Sequence, residues 1–423
     1  MRNRWIITGL LVAAGLLTGP VGSARAEPTA WDVSGNEEFP VWAPIGTYQH
    51  DGSGWYTGCE FMIMHTQRIV GDQLIAVRGL VLTTGTPSFP GGASPLTPAI
   101  TGFPPGTFLG SGEEALRSGD LGRSTWQPGY RVTLGYRMEN GWNFSVSYLH
   151  LFEAKYSGAA GVQGPNFSNP GGLGQNTFLF APVYNYSPFF VGQNPFPPIP
   201  FFVNPTSGIW NGASDMTILF TQRFDNWDLA GRFPVFETEN ARTYAIAGGR
   251  FSWLWERFEW RTVKPSLVTD GISFQFQETP DSAARYDNTL SQRMYGPMVG
   301  SGYDVILYSG VAGAFACNFE CTGSLLVDIA KKRAKYERED QVTEAKRAQT
   351  DNCIVPNVDL SLNLSWMPVD GLTFRAGVNL FNYFNTFSMQ DPVSFNVGAI
   401  DPPYTKQFYR YVAGCNFGIA YTW

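Results

Sequence analysis

The chain has 423 residues, 15% charged and 15% aromatic, with 47 glycines, 29 prolines and a formal net charge of −6. So few charges, against roughly 25% in ordinary globular chains, together with so much Gly and Pro, disfavour a long-helix protein. The acidic balance argues against a nucleic-acid partner. Beyond the N-terminal segment no apolar run reaches about 18 residues, so no helical membrane span is expected.

The chain opens with an export signal. Arg2 and Arg4 precede an apolar stretch from Trp5 to Gly19, and Ala24-Arg25-Ala26 offers a small-residue cleavage site. Loss of residues 1–26 removes three arginines and no acid, taking the formal charge from −6 to −9. Residues 27–54 then form an N-terminal periplasmic segment, and residues 55–423 the folded body. Export makes disulfides an option for the five cysteines, with Cys317, Cys321 and Cys353 the candidate partners. The Cys317–Cys321 spacing is loose for a metal site and has no histidine beside it, so no metal or other cofactor is expected.

Strands are expected at Trp55–Met64 and Leu74–Leu82, followed by a long loop over 84–128 rich in Pro and Gly. The first clear hairpin comes next. Tyr130, Val132, Leu134, Tyr136 and Met138 alternate with Arg131, Thr133, Gly135 and Arg137. Glu139-Asn140-Gly141 supplies a tight turn, with Asn and Gly both accepting positive φ. The return strand sets Trp142, Phe144, Val146 and Tyr148 on one face against Asn143, Ser145 and Ser147 on the other. A second long loop covers 157–212, including the tract Asn194-Pro-Phe-Pro-Pro-Ile-Pro-Phe-Phe202. Its aromatics suggest loops that fold onto each other or into a mouth.

Weaker strands are expected at Asp215–Phe224, Tyr244–Leu254 (with a bulge at Gly248-Gly249), Ile272–Phe276, Asp304–Phe315 and Gly323–Ile329. Residues 331–350 hold seven basic and four acidic side chains, which fits an exposed helix, charged strand extensions or a solvated loop, with anion or lipopolysaccharide binding the sharper reading. In the second clear hairpin Val358, Leu360, Leu362, Leu364 and Trp366 alternate with Asp359, Ser361, Asn363 and Ser365. After the turn at Pro368-Val-Asp-Gly371, Leu372, Phe374, Ala376, Val378 and Leu380 alternate with Thr373, Arg375, Gly377 and Asn379. The chain ends on an alternating strand, Phe417 to Trp423, with an aromatic last residue. Such an end resembles the signal that outer-membrane assembly machinery reads, which makes that machinery an expected partner beside the membrane lipid.

A soluble sandwich would alternate too. The discriminating feature is aromatics near strand ends: Tyr130, Tyr136, Trp142, Tyr148, Trp366, Tyr421 and Trp423 are placed for an interfacial girdle. In lipid every backbone polar group must be paired within the protein, so a spanning sheet must close. The sequence therefore predicts an all-β transmembrane antiparallel barrel of about 12 strands (10 to 14) in a bacterial outer membrane, with long external loops. The polar rows then line the lumen, and Arg131, Arg137, Asp359 and Arg375 are its candidate charges.

Several segments resemble the outer-membrane β-barrel porin family abundant in planctomycetes. The matching segments are Gly79–Gly85, Gly129–Tyr136, Gly141–Tyr148, Phe180–Asn185, Gly248–Phe251 and the late hairpin from Pro356 to Phe381. The chain departs from that pattern in the charged 331–350 segment, in Cys317 and Cys321, and in a first strand less rich in Trp. The resemblance implies a porin-like channel for passive diffusion of small polar solutes and brings no functional residues with it. Two alternatives remain open: a plugged structural or adhesion barrel at the cell surface, and a transporter of hydrophobic small molecules. Homo-oligomeric assembly is also left open. No enzyme is expected: Ser147 lies near His150, yet no third partner or oxyanion hole accompanies them.

Overall fold

The structure, a computed structural model, describes residues 53–82, 107–161, 178–183, 208–238, 240–264, 266–269, 274–277, 282–310, 313–341, 343–369, 371–396 and 406–423. The export signal, nearly all of the expected periplasmic segment 27–54, and much of both long loops, the Pro-Phe tract included, lie outside the described residues.

Ten strands form the body: β1 (Gly54–Thr66), β2 (Trp126–Arg137), β3 (Asn143–Gly161), β4 (Asp215–Glu237), β5 (Ala241–Val263), β6 (Ala283–Gly310), β7 (Gly313–Arg338), β8 (Thr343–Val369), β9 (Leu372–Phe387) and β10 (Gln407–Thr422). They make one closed antiparallel barrel in which each strand pairs with its chain neighbours, and β1 closes on β10. That closing seam runs from Tyr56 opposite Thr422 to Thr66 opposite Val412. The expected alternating C-terminal strand is therefore the one that leaves the sheet no edge. Both terminal strands have their outer ends at the same rim, as an even strand number requires.

The barrel is inside-out relative to a soluble fold. On β1 the outward Phe61 is 50% exposed while the inward Glu60 is 5% exposed. The same division runs round the wall. Val132, Leu229, Val299, Leu325, Ile354, Leu364, Val378 and Ile419 are exposed, whereas Asn288, Gln292, Asn363, Arg410 and Asn416 are buried. Water would expel such an outer surface, and hydrocarbon accepts it.

Strands of up to 28 residues, as in β6, exceed the ~10 residues a tilted strand needs to cross a bilayer, so the wall extends beyond it. The tight turns share the rim with the Gly54 end of β1 and the Thr422 end of β10. In the first, Met138 accepts from the Gly141 N–H at 3.0 Å, and its own N–H reaches Trp142 O at 2.8 Å. Only Gly141 has a positive φ (80°), so the turn is a right-handed turn closed by a left-handed glycine and not the mirror-image type in which Asn140 would also be positive.

The structure corrects several strand assignments. The expected strand at Asp304–Phe315 crosses the β6–β7 turn, and β7 runs unbroken through Gly323–Ile329 to Arg338. Residues 331–350 continue β7 and β8 as charged strand extensions joined by a short turn. Leu74–Leu82 splits into two short strands outside the wall, and Phe274–Gln277 pairs with Ser266–Thr269 in a loop hairpin. These reassignments reduce the count from about 12 to ten. No bulge occurs at Gly248-Gly249, whose pairing with Ala230 and Leu229 is regular. A Cβ on Gly248 would sit 1.9 Å from the Leu229 carbonyl oxygen, so close backbone approach is what requires glycine there.

At the rim opposite the tight turns, the loops enter the barrel. Glu114–Arg117, Leu74–Arg78, Leu179–Phe180 and Asn211–Ala213 form a small sheet across the mouth. Leu116, Leu121, Leu179, Ile209 and Trp210 pack in one buried core with the inward Phe220, Phe258, Trp260, Leu290 and Tyr336.

Candidate functional site

Alternation determines which side chains enter the lumen, and the register determines which of them meet. Toward the tight-turn rim Glu60, Arg131, Asp228, Arg232, Arg250, Glu320, Asp359 and Arg375 line a polar cavity of about 90 Å³. Arg131 bridges to Glu60 at 3.2 Å, and Arg375 reaches the same carboxylate at 3.3 Å. Arg232 binds Glu320 at 3.1 Å and donates to Ser145 at 2.7 Å, while the Tyr244 hydroxyl donates to Glu320 at 2.8 Å. Arg250 pairs with Asp228 at 2.6 Å and with Asp359, and it donates to Asn357 at 2.7 Å. These bonds link β1 to β2, β4 to β7 and β5 to β8, so the network spans the lumen.

Toward the loop rim lies a layer of another character. Met62, Met64, Leu149, Leu151, Phe224, Leu254, Met294, Leu326, Val355, Phe381, Tyr383 and Val412 form one buried cluster. Every strand except β2 contributes, and on β1, β4, β5 and β8 the apolar residue stands one or two inward positions beyond the charged one. On β2 the inward residue at this height is Gly129, where a Cβ would lie 2.6 Å from a Leu151 methyl. Above the layer a fully buried ion pair joins Arg410 of β10 to Glu256 of β5, and Arg410 donates to the Phe387 carbonyl at 3.2 Å. The loops are held to inward side chains: Gln292 donates to Phe387 O at 3.1 Å, Asn288 to Pro392 O at 2.8 Å, and Thr262 to Ile209 O at 3.2 Å. The described lumen is thus a polar cup, an apolar layer and a loop-filled core.

Three of the four charges expected for the lumen, Arg131, Asp359 and Arg375, meet in the cup. Arg137 is on the same face of β2 but at the turn rim, outside the cavity lining. Sequence reasoning missed Glu60, Asp228, Arg232, Arg250 and Glu320. Extending the alternation two turns of the pleat past each expected strand end would have reached Asp228 and Glu320.

The girdle residues divide between two levels of the wall. Trp142, Trp366, Tyr421 and Trp423 face outward at the turn rim, with Trp366 stacked between Phe315 (6.0 Å) and Phe374 (5.6 Å). Tyr130 and Tyr148 face outward farther along the wall, their rings 6.1 Å apart and Tyr148 stacked on Trp227 at 4.3 Å. The disulfide expectation is not met, since all five cysteines are free. Cys317 and Cys321 are four residues apart on one strand, about 13 Å, beyond bridging distance. Cys353 faces the lumen, its thiol 3.9 Å from Asp328. Ser147 and His150 point to opposite sides of the wall: Ser147 lines the cup, and His150 Nδ1 lies 2.6 Å from Asp225 on the outer face. No group of three or more His, Cys, Asp or Glu among the described residues is placed to hold a metal.

A closed barrel with an apolar exterior, aromatic rims and tight turns at one end defines an outer-membrane β-barrel protein. The chain belongs to the family of the Legionella pneumophila major outer membrane protein precursor, whose profile matches residues 118–415. It is accordingly a bacterial outer-membrane protein, and the resemblance seen in its motifs holds at the level of an outer-membrane barrel family. No curated protein matches the chain. Among solved structures it is similar to the outer membrane protease OmpT from Escherichia coli, at 9% identity over 88% of this chain and 97% of that one, with a TM-score of 0.35. The toluene transporter TodX of P. putida matches at 8% identity over 89% and 90%, with a TM-score of 0.18. An anion-selective porin from Comamonas acidovorans matches at 9% over 88% and 99%, with a TM-score of 0.12. At these values none of the three bears on activity.

Proposed function

We propose that this protein is a closed-lumen outer-membrane barrel: a membrane-anchored scaffold that displays its loops at the cell surface and conducts no solute in its resting state. The observation that carries this reading is the apolar layer across the lumen, in which Met62, Met64, Leu151, Phe224, Leu254 and Tyr383 are all within 1% of full burial. A water-filled porin needs a polar interior along its whole length. Here the polar cup ends against packed side chains. The test is planar-bilayer recording of refolded protein. A tight seal, with the heat-sensitive compact gel mobility of an intact barrel, is the expected result, and stable conductance steps would refute it.

A porin-like channel for small polar solutes is the second reading, favoured by the charged cup itself. It requires the apolar layer to open, since hydrophobic constrictions gate by excluding water. Swelling of sugar-loaded vesicles containing the protein would support this reading over the first.

A further inference from the structure

The charged segment 331–350 forms part of the outer wall. On β7 the outward row passes from Leu325 and Val327, both exposed, through Ile329 to Lys331 and Arg333, also exposed. The register places Arg293 of β6 opposite Ile329, and Ser291 and Thr289 opposite Lys331 and Arg333. On the other side Thr350 of β8 stands opposite Lys331. Three cations and three hydroxyls thus share one outward patch over adjacent strands. Immediately toward the tight-turn rim the same face carries the exposed apolar Tyr295, Val327 and Ile354.

The charge balance here departs from that of the chain, which is net −6. The nearby acids already have partners: Asp287 is 3.0 Å from Arg257, and Glu337 is 2.8 Å from Arg285 with Lys335 also on it. Among the described residues Lys331, Arg333 and Arg293 have no carboxylate within ion-pair distance. The Arg293 guanidinium instead lies 5.8 Å from the Trp253 ring centroid, which fixes the height of that cation beside an aromatic. Cations next to acyl-facing residues sit at headgroup depth, where an anionic lipid supplies the missing charge.

We infer that Arg293, Lys331 and Arg333 form a binding site on the outer wall for the phosphorylated headgroup of a glycolipid in the outer leaflet. Its acyl chains lie along Tyr295, Val327 and Ile354, and Ser291, Thr289 and Thr350 donate to its phosphate and sugar oxygens. Lys331 and Arg333 are two residues apart on one face, about 7 Å. That spacing lets two phosphate oxygens or two neighbouring phosphates be held at once.

The test is native mass spectrometry of the full refolded chain in detergent with added bis-phosphorylated lipid A. The expected result is a one-to-one adduct that weakens with salt and loses affinity by about a hundredfold in the Arg293→Gln/Lys331→Gln/Arg333→Gln variant, from the summed attraction of three cations near a charged surface. Compact gel mobility before boiling confirms that the variant is folded, and Lys331→Arg, which keeps the charge, retains binding. Equal binding by the triple variant, or equal binding of dephosphorylated lipid A by the wild type, would overturn the site. So would a variant that changes only the oligomeric state, since the patch would then seat a second copy of the chain. Inorganic phosphate alone, without acyl chains to use the apolar strip, is expected to give no adduct.

Discussion

Arg410 and Glu256 provide the sharpest test of how the lumen is built. Their side chains are 0% and 2% exposed, they belong to strands on different sides of the barrel, and they stand between two apolar layers. Removing one partner strands a charge in that setting and costs about 3–5 kcal/mol, whereas replacing both with well-packed apolar residues is close to neutral. Glu256→Leu should be the worse single change. It leaves a guanidinium whose donors have only the Phe387 carbonyl to accept from them. Arg410→Met leaves a carboxylate, a smaller group with fewer hydrogen-bonding positions to satisfy. The double variant Glu256→Leu/Arg410→Met should recover most of the wild-type stability, giving a coupling energy of at least ~3 kcal/mol. Reversible urea unfolding in vesicles, followed by Trp fluorescence, measures all four proteins. Additive single effects, or singles within about 1 kcal/mol of wild type, would show that the pair does not face a sealed interior.

Three further outcomes are expected. Phe224→Ala with Phe381→Ala removes two rings 6.0 Å apart from the apolar layer, each costing about 3–5 kcal/mol, and should turn a tight bilayer seal into measurable leakage. Gly248→Val should abolish folding into the compact gel form, because its Cβ has no space before the Leu229 carbonyl, whereas valine at the roomier Gly323 should leave that form intact. Leu325→Arg, on an outer position 62% exposed, should destabilise the barrel in vesicles by about 2–4 kcal/mol; a neutral or solubilising effect there would mean the wall does not face lipid.

The hairpins at Tyr130–Tyr148 and Val358–Leu380 were legible in the sequence because in each a turn residue and a strict two-residue period agree. The lumen placement of Arg131, Asp359 and Arg375 follows from that period alone. Three things hid the rest. Strands with mixed outer faces, such as β6 with Pro297, Val299, Ser301 and Tyr303 outward, lack the contrast that announces a strand. Long strands pass from lipid into water, and at Lys331 the outward row changes from apolar to charged with no change in backbone, so composition marks a boundary where the structure has none. Apolar inward residues at mid-height, such as Phe224 and Leu326, break the pattern of polar lumen and greasy exterior, because at that level both faces exclude water. Partners across the lumen, such as Arg250 with Asp359, depend on barrel closure and on the stagger of strands, which no local pattern encodes.

The cup's composition bears on its role. Eight strands enclose an interior that side chains just fill, and ten enclose a somewhat wider one. Filling that width requires long side chains, and in the cup Arg232 and Arg250 reach across it to Glu320 and Asp359. Four carboxylates meet four arginines: Glu60, Asp228, Glu320 and Asp359 oppose Arg131, Arg232, Arg250 and Arg375. A ring that selects ions needs a surplus of one sign exposed to the permeating species. Here the charges cancel and are spent on one another, with Arg250 alone engaging Asp228, Asp359 and Asn357. Geometry this specific fixes which strands face each other, since slipping any strand by one residue would turn its charged row toward lipid. On the closed-lumen function proposed above, the cup serves as a cross-lumen tie that goes with the barrel's register, in place of a selectivity filter.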